Sequence, residues 1–286
     1  MKNILITGVS SGIGYATAKL FLDKGFRVFG SVRKQTDADV LTKELGEHFH
    51  PLLFDVTDEK AIKEALKEVE SVLGDAPLDC LVNNAGVSVN GPLAYIPLDE
   101  FSNQLDINVI GVMRVTQTFL PLLGFNNNKP KGRIVNISSG SGRVTRPFMA
   151  PYSASKYAVE AISDGLRREL LDFGIDVTVI EPGPIKSEIW NKAKADAGTQ
   201  VDKYKDTPYG EIYTHMNKVV KQMESNALDA SEVATLIYGI TEGKKKKTRY
   251  LVAPKKWLFW LAIHVLPDKF LDKMFQMQFK KLVEEK

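Results

Sequence analysis

Ile4-Leu5-Ile6-Thr7-Gly8-Val9-Ser10-Ser11-Gly12-Ile13-Gly14-Tyr15 follows directly on Met1-Lys2-Asn3. The short apolar run suits a buried strand, and helical spacing begins with Tyr15, Ala16, Lys19 and Leu20. A tight turn must join them. Gly8, Gly12 and Gly14 allow backbone angles closed to other residues and let the chain come close to a ligand, while the free N–H groups of a helix start attract pyrophosphate. Ser10, Ser11 and Ile13 complete a turn of the kind that binds dinucleotides when a strand precedes it and a helix follows.

Outward from this segment the same alternation repeats. Apolar, β-branched runs at 4–7, 27–32, 50–54, 78–82, 133–137, 176–180 and 248–252 are separated by longer stretches of helical period. In one of these Ala61, Ile62, Ala65, Leu66, Val69, Val72 and Leu73 place an apolar stripe on a helix starting near Asp58. Because the strands are continuous apolar runs, they read as parallel and covered on both faces. The expected fold is α/β: a doubly wound, Rossmann-type parallel sheet of seven strands with helices on both faces. One domain, 1–286, is expected, with a core over 1–184, a lid inserted after the sixth strand over 185–229, and a helical tail over 254–286.

A composition of 44% hydrophobic and 26% charged residues is that of an ordinary globular chain, not a disordered one. Cys80 is the single cysteine, so an internal disulfide and a Cys-based zinc site are excluded, and it reads as a buried small hydrophobe. His48, His50, His215 and His264 lack metal-ligand spacing, and no metal is expected. The start leaves no room for a signal peptide, which makes the cytoplasm the expected location. The net charge of +3 conceals an asymmetry: from Lys244 onward twelve basic residues face four acidic ones, and the remainder is slightly acidic, without a nucleic-acid signature.

The chemical residues stand in the second half. Tyr152-Ser153-Ala154-Ser155-Lys156 sets a phenol and an ammonium four apart at a helix start, hence on one face. A tyrosine is a poor base at neutral pH, and a nearby cation is expected to lower its pKa. Ser139 ends the fifth strand, where its hydroxyl could hold a substrate oxygen beside the phenol. At the end of the second strand Arg33 and Lys34 offer positive charge where the adenosine ribose should lie, which favours NADP(H) over NAD(H).

The pattern T-G-x-x-x-G-x-G, the Asn83-Asn84-Ala85-Gly86 segment, and Ser139 with Tyr152 and Lys156 resemble the short-chain dehydrogenase/reductase family. The resemblance runs from Met1 to about Ser187. It implies hydride transfer between NADP(H) and a secondary alcohol, ketone or aldehyde. It implies a catalytic set of Asn108, Ser139, Tyr152 and Lys156, with Asn108 ordering a water that leads to the lysine. Asp55 and Val56 would border the adenine, and Asn83, Ala85 and Gly86 would line the cleft. Pro182, Gly183, Ile185 and Ser187 would run beside the nicotinamide, Ser187 standing where many members have threonine. Tyr152 and Lys156 count among the cofactor contacts as well. Val32 occupies the position where NAD-preferring members carry Asp.

Ile96, Phe148, Met149, Ile189, Trp190, Tyr209 and Tyr213 suggest an apolar small-molecule substrate. Family members pair through two long helices, here over 98–123 and 152–173, so a homodimer or homotetramer is implied. The basic, aromatic tail has two readings, a helix packed over the pocket or a subunit neighbour, and peripheral membrane contact. A catalytically silent NADP(H) sensor or scaffold on the same fold is the alternative to an enzyme.

Overall fold

The computed structural model describes residues 1–186, 201–215, 218, 221 and 224–284. Seven strands, β1 (Asn3–Ile6), β2 (Arg27–Val32), β3 (Phe49–Leu53), β4 (Cys80–Asn83), β5 (Arg133–Ile137), β6 (Asp176–Pro182) and β7 (Arg249–Val252), form one sheet. Its order is β3-β2-β1-β4-β5-β6-β7, and every pairing is parallel. The chain winds one way from β1 to β3 and the other from β4 to β7. The crevice between the carboxyl ends of β1 and β4 is therefore the switch point at which such sheets take ligands.

Alternation along each strand feeds two cores. Ile4 and Ile6 face Ala18 and Phe21 of α1 (Gly12–Asp23), Leu41 of α2 (Gln35–Leu45) and, from a later helix (Ala230–Thr241), Val233 and Ile237. Leu5 faces the other way, toward Ile62 and Val69 of α3 (Glu59–Leu73); after α4 (Leu98–Leu105), α5 (Gly111–Phe119) and α6 (Ala150–Glu169) join this core through Val115, Phe119 and Leu166. Burial on both faces is why the strands carry unbroken apolar runs. The stripe expected near Asp58 is α3, capped by the Asp58 carboxylate, which accepts from the Ala61 N–H at 3.0 Å.

After β6 the chain leaves the sheet through a paired stem. Ile185 bridges to Leu228, the Lys186 N–H donates to the Leu228 carbonyl (2.8 Å), and the Leu228 N–H donates to that of Pro184 (2.9 Å). Within this excursion lies α7 (Gly210–Thr214), and α8 (Ala230–Thr241) follows the stem. Ser187, Ile189 and Trp190 lie outside the described residues. The tail forms α9 (Lys256–His264) and α10 (Asp268–Glu284).

Candidate active site

The glycine turn sits at the carboxyl end of β1. Gly8 and Gly12 hold φ of 71° and 59°, the left-handed region that other residues avoid. Gly14 is needed for space, because a Cβ there would lie 2.1 Å from the Gly8 carbonyl oxygen. Among the described residues the Ser11 side chain makes no capping bond, and Ser10 is exposed. The first turn of α1 is thus a backbone cradle of the sign that pyrophosphate requires, its helix-start N–H groups left without a side-chain cap from Ser11.

Residues that the sequence reading passed over hold this cradle. The Thr7 hydroxyl accepts from the N–H groups of Asn84 and Ala85, both at 2.9 Å, and the Asn84 Nδ2 donates to the carbonyls of Thr7 (2.9 Å) and Gly8 (3.0 Å). Ser31 Oγ accepts from the Gly8 N–H at 3.0 Å. The ends of β1, β2 and β4 are tied together by these bonds. Asn83 turns the other way, its Nδ2 donating to Thr116 Oγ1 and Asn136 Oδ1 within the buried sheet.

At the end of β2, Val32 is buried while Arg33 and Lys34 are exposed, so the strand closes on a valine and two cations. Arg33 approaches Asp55 at 3.9 Å with both side chains open to solvent, a pairing worth little in itself. Asp55 Oδ1 accepts from the Thr57 N–H (2.9 Å) and hydroxyl (2.8 Å), and Val56 is buried against Gly111. The cradle fits a pyrophosphate, and the exposed cations fit a 2′-phosphate.

Across the crevice, β5 and α6 bring the chemical groups together. The Ser139 hydroxyl lies close enough to the Tyr152 phenol to lower its pKa, and it also lies 3.4 Å from the Pro182 carbonyl. Lys156 Nζ sits 5.7 Å from the centroid of the Tyr152 ring and donates to the Ile137 carbonyl at 2.9 Å. Asn108 lies in a single π-helical turn, Asp106–Ile110, between α4 and α5. Such a turn holds an extra residue, a common device for redirecting a side chain at a site. Its Oδ1 accepts from the Val87 N–H (2.8 Å), and its Nδ2 donates to the Val87 carbonyl (2.8 Å) and to Ser155 Oγ (3.0 Å). Gly86 fills the gap between Asn108 and Lys156: a Cβ there would come within 3.1 Å of Asn108 Oδ1 and 3.7 Å of Lys156 Nζ.

One expectation is corrected. Spacing alone predicts that the lysine makes the phenol acidic, but burial acts first and raises the Tyr152 pKa, with Ser139 opposing it. Lys156 lies against the ring face with its proton directed to Ile137, and burial brings its own pKa down to about 8, partly offset by Glu160. Between about pH 8 and 10.5 the unfolded chain holds the Lys156 proton and the folded chain does not, so this group makes stability rise with pH across that window. Below pH 8 the full cost of burying the charge is present. Replacing Lys156 by Met should remove a rise of about 1.4 kcal/mol per pH unit, read from urea unfolding at about pH 8 and about pH 9.5.

An ion cluster that the sequence did not reveal lies one turn further along α6. The buried Glu160 accepts from Arg249 Nε (2.7 Å), which also lies 3.2 Å from Glu181; Arg143 donates to Glu181 (3.0 Å), and Asp164 approaches Arg249 at 3.3 Å. Burial raises the Glu181 pKa, with Glu160 adding to it. Cys80 is buried, its thiol pushed up to about 12, in keeping with an inert packing residue.

Of the expected pocket residues within the described chain, Phe148, Tyr209 and Tyr213 form an aromatic group. Phe148 meets Tyr209, Tyr213 and, from the tail, Phe279, all near 5.3–5.5 Å between ring centroids. Phe148 holds a φ of 66°, a strained state for a bulky residue, and its carbonyl accepts from the Gly91 N–H at 2.8 Å. Ile96 is buried and Met149 half-buried.

A family profile described as short chain dehydrogenase matches residues 2–198. The chain is 46% identical over 286 residues, the whole of both chains, to the NADPH-dependent 3-dehydrocapnine reductase of Ornithobacterium rhinotracheale. Among solved structures, a short-chain dehydrogenase from Streptomyces avermitilis superposes with a TM-score of 0.75 at 26% identity, covering 98% of this chain and 96% of that one. A single-residue variant of actinorhodin polyketide ketoreductase with NADPH gives 0.72 at 28% identity, over 88% of this chain and 95% of that one. With the parallel sheet, the glycine turn and the Ser139, Tyr152 and Lys156 side chains gathered at one edge, these likenesses leave one assignment: the chain belongs to the short-chain dehydrogenase family of oxidoreductases.

Proposed function

We propose that the protein is an NADP(H)-dependent oxidoreductase that reduces a lipophilic ketone or aldehyde, the reverse oxidation of the alcohol using the same groups. The observation that carries this reading is the meeting of the Tyr152 phenol, the Ser139 hydroxyl and the Lys156 ammonium at the end of β5, on the carboxyl edge of the sheet that also carries the glycine turn. NADPH, when bound, supplies hydride to the carbonyl carbon. Gly8 to Gly14 would hold its pyrophosphate, Arg33 and Lys34 its 2′-phosphate, Asp55 and Val56 its adenine, and Lys156 its nicotinamide ribose, with Ala85, Gly86, Pro182, Gly183 and Ile185 along the cleft, while Asn83, expected there, braces the buried sheet instead. Tyr152 keeps its proton because burial disfavours the phenolate, which suits a donor to the carbonyl oxygen that Ser139 orients. Asn108 is a positioning residue through Val87 and Ser155. The aromatic group around Phe148 supports an apolar substrate, and the 185–228 excursion supports a lid over it.

The test is a panel of carbonyls and alcohols followed at the nicotinamide absorbance band with both cofactors. NADPH oxidation with an apolar carbonyl is expected; NADPH binding without turnover across the panel would leave the silent sensor as the better reading. Replacing Arg33 and Lys34 together by Ser should raise the KM for NADPH by about 10- to 100-fold and leave that for NADH nearly unchanged, measured by initial rates. The exposed apolar residues Ile110, Tyr157, Leu171 and Phe173 on the long helices support a homo-oligomer built there.

A further inference from the structure

The tail helices pack by one face only. Phe259 of α9 closes on the loop beside Ser139, so that a Cβ on Gly140 would stand 2.9 Å from its ring, and the Arg146 guanidinium lies 5.7 Å from the same ring. In α10 the half-buried Leu271, Phe275 and Phe279 recur every four residues, and Phe279 lies edge-on to Phe148.

The opposite faces are apolar and open. Trp257 is 63% exposed, Trp260 56%, Phe270 54% and Met277 61%. Trp257, Trp260 and His264 fall on one side of α9, with His264 stacked on Trp260 at 5.2 Å. At 3.6 residues per turn, Lys269, Lys273 and Lys280 of α10 lie away from the buried stripe, alongside Phe270 and Met277, while Asp268 and Asp272 fall next to the stripe. Lys255 and Lys256, also exposed, stand at the start of α9. The outward faces of α9 and α10 thus carry ammonium groups among tryptophan, phenylalanine and methionine, and Glu284 is the one acid of α10 that shares them.

We propose that this face docks on an anionic bilayer surface, the apolar side chains entering the boundary between headgroups and acyl chains and the lysines meeting lipid phosphates. Charge chooses the occupant. A second copy of the chain joined through a two-fold axis would set the same lysine-rich patch against itself, which repels, whereas an anionic lipid surface meets both the cations and the apolar side chains. Tryptophan beside lysine is the pairing that such a boundary favours, apolar ring inward and polar group outward. No described helix is long and apolar enough to cross a membrane, so the contact is one of lying on the surface. Docking does not depend on the proposed reaction. If that reaction holds, the helices that touch lipid are those that reach the Gly140 loop and Phe148.

The full-length protein is floated with vesicles of phosphatidylcholine alone and of phosphatidylcholine mixed with phosphatidylglycerol. Flotation with the mixed vesicles is expected, weakened by added salt, and the Trp257→Ala/Trp260→Ala variant should bind at least about tenfold more weakly with an unchanged melting temperature. Failure of the wild type to float with anionic vesicles overturns the proposal. So does a double variant that floats as well as the wild type, or a wild-type dimer in solution that the double variant dissolves. NADPH oxidation is measured separately: a protein that floats without turnover leaves the docking intact and removes the proposed reaction, and one that turns over without floating does the reverse.

Discussion

Tyr152→Phe should lower kcat for carbonyl reduction by about 10³-fold while NADPH binding persists. The substitution removes one oxygen. The ring that packs against Lys156 remains, as do the backbone cradle of the glycine turn and the Ser139 hydroxyl. What disappears is the group that both holds a proton firmly at neutral pH and stands beside the hydroxyl that orients the substrate. The loss should therefore fall on kcat and kcat/KM together, with the KM for NADPH little changed, the pattern of an interaction made in the transition state. Ser139→Ala should cost less, about 10²-fold, because it removes orientation and leaves the proton donor. Steady-state rates and NADPH titration by fluorescence check both, and a Tyr152→Phe protein with wild-type turnover would strike the phenol from the chemistry.

The second large effect concerns shape. Gly14→Ala should destabilise the fold by about 3 kcal/mol, lower the Tm by roughly 5–10 °C and abolish measurable NADPH binding. The added carbon would lie 2.1 Å from the Gly8 carbonyl oxygen and 2.7 Å from Asn84 Nδ2. The first is backbone and the second already donates to that same carbonyl, so neither can retreat without breaking the tie between β1 and β4. Gly25 offers the control: its φ is 76°, yet nothing lies within 4 Å of where its Cβ would stand. Gly25→Ala should cost only the local backbone strain, about 1 kcal/mol, and leave cofactor binding untouched. Thermal melts with and without NADPH separate the two; a Gly14→Ala protein that lost no more than the Gly25→Ala one would show that the close approach of α1 to the turn does not make Gly14 necessary.

The sheet could be read from the chain because burial on both faces leaves unbroken apolar runs, and the turn because three glycines in ten residues between a strand and a helix have few other uses. Strand ends were less legible: β4 begins at Cys80 rather than Leu78, since the Leu78 N–H is bonded to the Leu122 carbonyl outside the sheet. The ties of Thr7, Ser31 and Asn84 were hidden because each joins strand ends whose adjacency appears only once the winding order is known. The same holds for Glu160 and Arg249, which are 89 positions apart and meet because β7 is laid beside β6. The acidity expected of Tyr152 failed for a related reason. Helical spacing puts Tyr152 and Lys156 on one face, but it says nothing of how deeply they sit or that the ammonium turns to Ile137.

The stem at Ile185 and Leu228 makes the segment between its two arms replaceable as a unit. Because the excursion departs from and returns to a single clasped point, its length and wording can change without disturbing the register of the strands beneath. If the excursion is the proposed lid and Tyr152 the proposed donor, a lid exchanged at these two joints would keep the donor and bring its own selectivity.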